Sequence, residues 1–181
     1  MLKLSFLNVF FSIFLVPLMM QCEDGRGGPC DTYTRYTIED NLCELLPGKI
    51  KYDQGETVNF KFAVKSKLSM SGKQVDIYEE TKLNSGLLLV NLSELFKGNT
   101  VIFLKGDKVD DTRFKPVYNN ATDSYELEIS IKLNRVGIYS FESMATFRDL
   151  GENDFNCALI NVTTNIKDNN LDDGRTEFSV D

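Results

Sequence analysis

Histidine and tryptophan are missing altogether from this 181-residue chain, and proline occurs only four times. Without histidine the chain lacks the side chain that most often moves protons near neutral pH and most often ligates metals. Serine, cysteine and zinc hydrolase mechanisms of the usual kind therefore lose their proton handler. A four-ligand zinc site has no support either, because the four cysteines form no C-x-x-C pair. Basic charge is in short supply: 20 Lys+Arg stand against 27 Asp+Glu, a formal net charge of −7. That balance argues against a nucleic-acid partner, which needs a basic surface to displace counterions from phosphates. Catalytic signatures are missing as well: there is no G-x-S-x-G, no P-loop, no G-x-G-x-x-G and no S-x-x-K.

What is present begins with an apolar leader. In residues Met1–Gln21 one basic residue, Lys3, precedes an apolar run from Leu4 to Met20, interrupted only by Ser5, Asn8, Ser12 and Pro17. This is the layout of a secretory signal. A membrane-spanning helix needs about 20 apolar residues; this run is shorter and carries Pro17 near its end. Glu23 and Asp24 follow it, which sets Lys3 on the inner side. No small-residue exit of the A-x-A kind closes the run. A cysteine, Cys22, stands there instead. The arrangement resembles the lipobox of bacterial lipoproteins, with Gln21 where lipoboxes carry a small residue. The resemblance implies acylation of Cys22 and a membrane as the partner of the N-terminus. More than one acyl chain, at about 0.8 kcal/mol per buried methylene, anchors stably. The other reading of Cys22 is an ordinary disulfide partner.

Removing the leader, with its one lysine and no acid, takes the net charge to −8. Residues 22–31, including the stretch Glu23–Pro29 (EDGRGGP), read as a flexible tether. With Cys22 acylated, three cysteines remain, so one pair and one free thiol is the simplest arrangement. The expected pair is Cys30 with Cys157, tying the N-terminal segment to a late strand in an oxidising compartment. Cys43, in the apolar setting Leu42–Leu46, suits a buried thiol. With Cys22 free, two disulfides in any of three pairings are open.

Residues 32–181 read as one domain. Val58, Phe60, Phe62 and Val64 alternate with polar or small neighbours, and so do Tyr125, Leu127, Ile129, Ile131 and Leu133. A period of two over that length marks strands with one wet face and one buried face. Shorter strands are expected at Tyr33–Ile38, Lys49–Tyr52, Val75–Tyr78, Gly86–Asn91, Thr100–Lys105, Ile138–Phe147, Ala158–Thr164 and Thr176–Val180. Turn signals such as Pro47-Gly48, Gln54-Gly55 and Asn119-Asn120 separate them. Only Leu92–Phe96 reads as a helical turn, capped by Ser93. Short strands at regular spacing predict an all-β, antiparallel sandwich. The aromatic residues mostly follow the alternation and belong to the core; Tyr33 and Tyr36 point to opposite faces, so one of them is exposed.

Candidate chemistry is sparse. Asp107, Asp110 and Asp111 cluster in one loop, as calcium ligands do, but charge runs are commonly solvated surface. The stretch Asp168–Gly174 carries D-x-N-x-D spacing, yet Asp173 stands where an EF-hand needs glycine and Ser179 where it needs glutamate. Asn91, Asn120 and Asn161 head N-glycosylation sequons, which matter only on a eukaryotic secretory route. Glu126 and Glu128 share one strand face and could act as the paired carboxylates of a glycosidase; on an amphipathic strand, that face is ordinarily exposed surface.

The segments Tyr33–Tyr36, Gln54–Phe60 (QGETVNF) and Asn134–Tyr139 (NRVGIY) resemble small uncharacterised lipoproteins exported by Bacteroidota-type bacteria. The resemblance implies an immunoglobulin-like β-sandwich and, through Glu23-Asp24 after Cys22, an outer-membrane address at the cell envelope. It carries over no site residue except Cys22. The expectation is an exported, lipid-anchored, non-catalytic module, without a cofactor, that binds a protein or glycan or completes an envelope assembly. Two alternatives stay open: a carboxylate-based carbohydrate-active hydrolase, and a eukaryotic secreted glycoprotein with two disulfides.

Overall fold

The computed structural model describes residues 35–149, 160–167 and 174–181, all within the unit Thr32–Asp181. Strands β1 (Arg35–Ile38), β2 (Cys43–Leu46), β3 (Lys51–Tyr52) and β4 (Thr57–Lys65) come first. The hairpin of β5 (Lys67–Met70) and β6 (Lys73–Asp76) leads into a short helix, α1 (Ile77–Thr81). Then follow β7 (Gly86–Leu89), α2 (Ser93–Phe96), β8 (Thr100–Lys105), β9 (Asp107–Lys108), β10 (Arg113–Lys115) and β11 (Val117–Asn119). Last are β12 (Ser124–Lys132), β13 (Gly137–Glu142), β14 (Met144–Asp149), β15 (Ile160–Lys167) and β16 (Arg175–Val180). The fold is all-β, as the alternation predicts.

The two clearest alternating stretches of the sequence become β4 and β12, and they pair with each other. Val58 lies opposite Ile131, Phe60 opposite Ile129, Phe62 opposite Leu127 and Val64 opposite Tyr125. Successive side chains on a strand point to opposite faces, so these eight point inward together, and all are buried. Leu88, Phe114, Ala145, Phe147, Ile160 and Val162 meet them from β7, β10, β14 and β15. The rings of Phe62 and Phe147 stack with centroids 5.6 Å apart, and Tyr125 lies 5.2 Å from Phe147. Each such side chain contributes about 1.5–3 kcal/mol on leaving water.

These strands belong to one sheet ordered β11-β12-β4-β2-β15-β14-β7-β10-β9, with β8 on β12 and β1 on β15. Ser85 bridges to Val117, and the Gly86 N–H donates to the Pro116 carbonyl at 3.1 Å, so the sheet nearly closes on itself. Strand β15 turns the corner: Asn161–Asn165 pair with β14, while Ile166 and Lys167 pair with β2. A smaller sheet, β13-β16-β3, and the β5-β6 hairpin complete the body.

The structure corrects several expectations. The pairing is not all antiparallel: β1 and β2 both run parallel to β15, and β3 runs parallel to β16. The first case arises because Arg35–Leu46 follows β15 in two pieces. Between them the Asn41 N–H donates to Asn165 Oδ1 at 2.7 Å and the Leu42 N–H to Thr164 Oγ1 at 3.0 Å, side chains replacing the ladder. Ile138–Phe147 is two strands, not one. At Ser143 the N–H donates to the Gly174 carbonyl and the carbonyl accepts from the Ile166 N–H, which passes the chain from the small sheet to the main one. The strand expected at Val75–Tyr78 stops at Asp76, whose side chain accepts the Glu79 N–H at 3.1 Å and caps α1. Ser93 does not cap α2: Leu92 holds the cap position with no side-chain cap bond, and Asn91 Oδ1 accepts the Ser93 N–H and hydroxyl in the turn ahead of the helix. The strand at Lys49–Tyr52 shortens to Lys51–Tyr52, since the Tyr52 hydroxyl takes the Lys49 N–H and donates to Pro47 in a turn. Tyr36 is about half exposed; Tyr33 lies outside the described residues.

One close approach is a test of this packing. A Cβ on Gly86 would lie 2.4 Å from the buried ring of Phe147 and 2.8 Å from the Arg148 carbonyl, whereas at Gly48 the nearest atom is 3.7 Å away. Gly86→Ala is expected to cost about 1–3 kcal/mol and Gly48→Ala close to nothing, measured by urea unfolding. Equal stability of the two variants contradicts the packing described here.

Candidate functional site

The outward faces of β2, β4 and β12 form a groove of about 340 Å³ with a strongly charged lining: Glu44, Lys61, Lys105, Glu126 and Glu128. The strand register brings them together. Glu128 stands opposite Lys61, and Lys61 opposite Glu44. The same alternation that turns Phe60 and Phe62 inward turns these residues out. A register irregularity between Glu128 and Ile129 lets Lys105 of β8, opposite Glu128 in the ladder, reach across to Glu126.

Glu126 is the most heavily bonded carboxylate of the groove. It accepts from Lys105 Nζ at 2.7 Å, Thr122 Oγ1 at 2.6 Å, Asn119 Nδ2 at 3.1 Å and Ser124 Oγ at 3.1 Å. Burial alone would raise its pKa, but these donors outweigh it, Lys105 foremost, and bring it down to about 2. Lys105 is shifted the other way by the same hydrogen bond. Glu128 pairs with Lys61 at 3.3 Å. The two acids singled out in the sequence thus do share a face, each with its own lysine. A general acid needs a raised pKa; Glu126 is built to stay charged. The lysines were not legible beforehand, because they come from β4 and β8, and only the pairing register brings them alongside.

A second cleft, of about 250 Å³, opens between the end of β2 and the small sheet. Tyr52 and Phe178 form an aromatic wall there, with ring centroids 5.0 Å apart, and Thr176 and Leu45 line its depth. Lys49, paired with Glu56, sits at its rim, along with Glu44 and Lys167.

Two of the three carboxylates of the acid loop turn on the loop itself, and Asp107 does not. Asp110 accepts from the Thr112 N–H at 2.8 Å, from Arg113 Nε at 2.6 Å and from the Thr112 hydroxyl at 2.8 Å, and these bonds hold its pKa down at about 2. Asp111 pairs with Lys108 at 2.6 Å. Among the described residues no group of three or more His, Cys, Asp or Glu is placed to hold a metal ion. Cys43 is a free, fully buried thiol whose pKa burial pushes up. Asn91 and Asn120 are exposed, and Asn161 is half-buried on β15. Cys22, Cys30, Cys157 and residues 168–173 lie outside the described residues. No helix among the described residues is long and apolar enough to cross a membrane. Compared with known protein families, with curated proteins and with solved structures, the chain matches none.

The Glu126 network makes stability depend on pH. Its folded pKa is depressed, so its contribution is present above the ordinary carboxylate value and is lost as pH falls through about 2. The Glu126 side chain is 12% exposed, but its partner Lys105 is 47% exposed, so solvent screens part of the pair. Glu126→Gln is expected to lower stability at pH 7 by about 1–3 kcal/mol, with a wild-type advantage that shrinks between pH 5 and pH 2. Urea midpoints across that range measure it, and an advantage that stays constant contradicts the assignment.

Proposed function

We propose that the chain is an exported, lipid-anchored binding or envelope-structural module, held at the outer membrane through Cys22 and working without catalysis. The observation that carries this reading is the order of the first 31 residues: apolar leader, cysteine, acidic pair and glycine-rich tether ahead of the β domain. Its physics is a division of labour. Acyl chains supply membrane affinity, the tether supplies reach, and the β body presents a surface. The non-catalytic part is supported by the direction of the carboxylate shifts. Wherever a shift is resolved among the described residues, at Glu56, Asp76, Asp110 and Glu126, it is downward, which suits permanent charge and not proton transfer. A surface of fixed, alternating charge such as the β2-β4-β12 face recognises a partner by complementary charge and sets binding rate and specificity more than raw affinity.

Intact mass of the protein isolated from its native membrane is the test. The expected result is a chain beginning at Cys22 with an acyl-lipid increment, which Cys22→Ala abolishes together with membrane retention. A chain carrying glycans at Asn91, Asn120 or Asn161, or one retaining residues 1–21, overturns the reading.

A further inference from the structure

The edge of β8 is one of the exposed apolar edges of the fold. Strand β8 pairs with β12 alone, and no backbone hydrogen bond among the described residues reaches its other side. Val101 and Phe103 pack inward against the core, whereas Ile102 and Leu104, pointing out, are each 56% exposed. Natural sheets blunt such edges with proline, with free charge or with bulges. Here there is no proline, the single lysine, Lys105, is engaged by Glu126, and the one irregularity lies at the Leu104 end. Thr100–Phe103 is thus a regular, open template.

We infer that β8 is the pairing edge of a two-fold dimer in which a second copy of this chain adds its own β8 antiparallel, centred near Ile102. The charges that bracket the strand choose the occupant and the direction. Lys97 stands before β8 and Asp107 just after it; both are exposed, and neither has an ion-pair partner among the described residues. Lys115 lies across the ladder from Asp107 but forms no ion pair with it. An antiparallel copy brings each Lys97 toward the other copy's Asp107, twice over, while a parallel copy sets like against like. The same two-fold places Ile102 against its own counterpart and covers both Leu104 side chains. One strand pair buries less than the roughly 1,200 Å² of a standard stable interface, so the dimer is weak and concentration-dependent. A membrane tether would raise its effective concentration, but the pairing itself does not rest on Cys22.

The test is sedimentation equilibrium of the full processed protein in density-matched nonionic detergent, from low-micromolar to near-millimolar concentration. The wild type is expected to shift from monomer to dimer. Ile102→Lys is expected to weaken the dimer about tenfold or more. Lys97→Asp and Asp107→Lys are each expected to weaken it about threefold, and the double exchange restores it. Circular dichroism confirms that each variant keeps its sheet content. A wild type that stays monomeric throughout, its edge being vacant or held by a different protein, overturns the inference. So does association that ignores residues 97 and 107, as clustering through lipid alone would.

Discussion

The β4–β12 ladder is the constraint on which the rest of this structure hangs. Nine consecutive residue pairs, from Thr57–Lys132 to Lys65–Ser124, lie in register. A slip of β4 by one residue against β12 would turn Phe60 and Phe62 to solvent and bring Lys61 inside, away from Glu128, which stays on the outer face. Burying the lysine without its partner or its water would cost several kcal/mol, on top of the lost apolar burial. The register is therefore over-determined, and it decides two things at once. It builds the inner stripe that receives Phe147, and it sets out the charged outer face on which Glu44, Lys61, Glu126 and Glu128 meet.

That dual role explains what could be read from the residues alone. Period-two alternation is a local property, so β4 and β12 are plain in the sequence, and an all-β body follows from them. Leu46, Leu68 and Phe114 gave no such signal: β2, β5 and β10 are four residues or fewer, too short to show a period. At Val75-Asp76-Ile77-Tyr78 two local preferences compete. β-branched and aromatic residues favour a strand, but Asp76 with Glu79 three residues on makes a helix start, and the cap prevails. Parallel pairing was illegible for another reason. It depends on Asn165 and Thr164 taking the N–H groups of Asn41 and Leu42 across more than a hundred residues.

The candidate site shows the same asymmetry. That Glu126 and Glu128 share a face follows from spacing; that both are neutralised by lysines from other strands does not. Two neighbouring carboxylates on one strand read as a catalytic pair only while their surroundings are unknown. With Lys105, Thr122, Asn119 and Ser124 all donating to Glu126, the local chemistry is that of a fixed charge. The N-terminal segment is the reverse case: the proposed leader, lipid-bearing Cys22 and tether rest on order and composition alone and lie outside the described residues.

Native-state amide hydrogen exchange tests the central claim most directly, because it ranks parts of the fold by the free energy of opening them. If the β4–β12 ladder is the constraint on which the other elements depend, the interior amides of Thr57–Lys65 and Ser124–Lys132 exchange last, and only through global unfolding. The small sheet of β13, β16 and β3 opens before them. Exchange of the ladder amides ahead of the small sheet, or as two separate groups, contradicts the account.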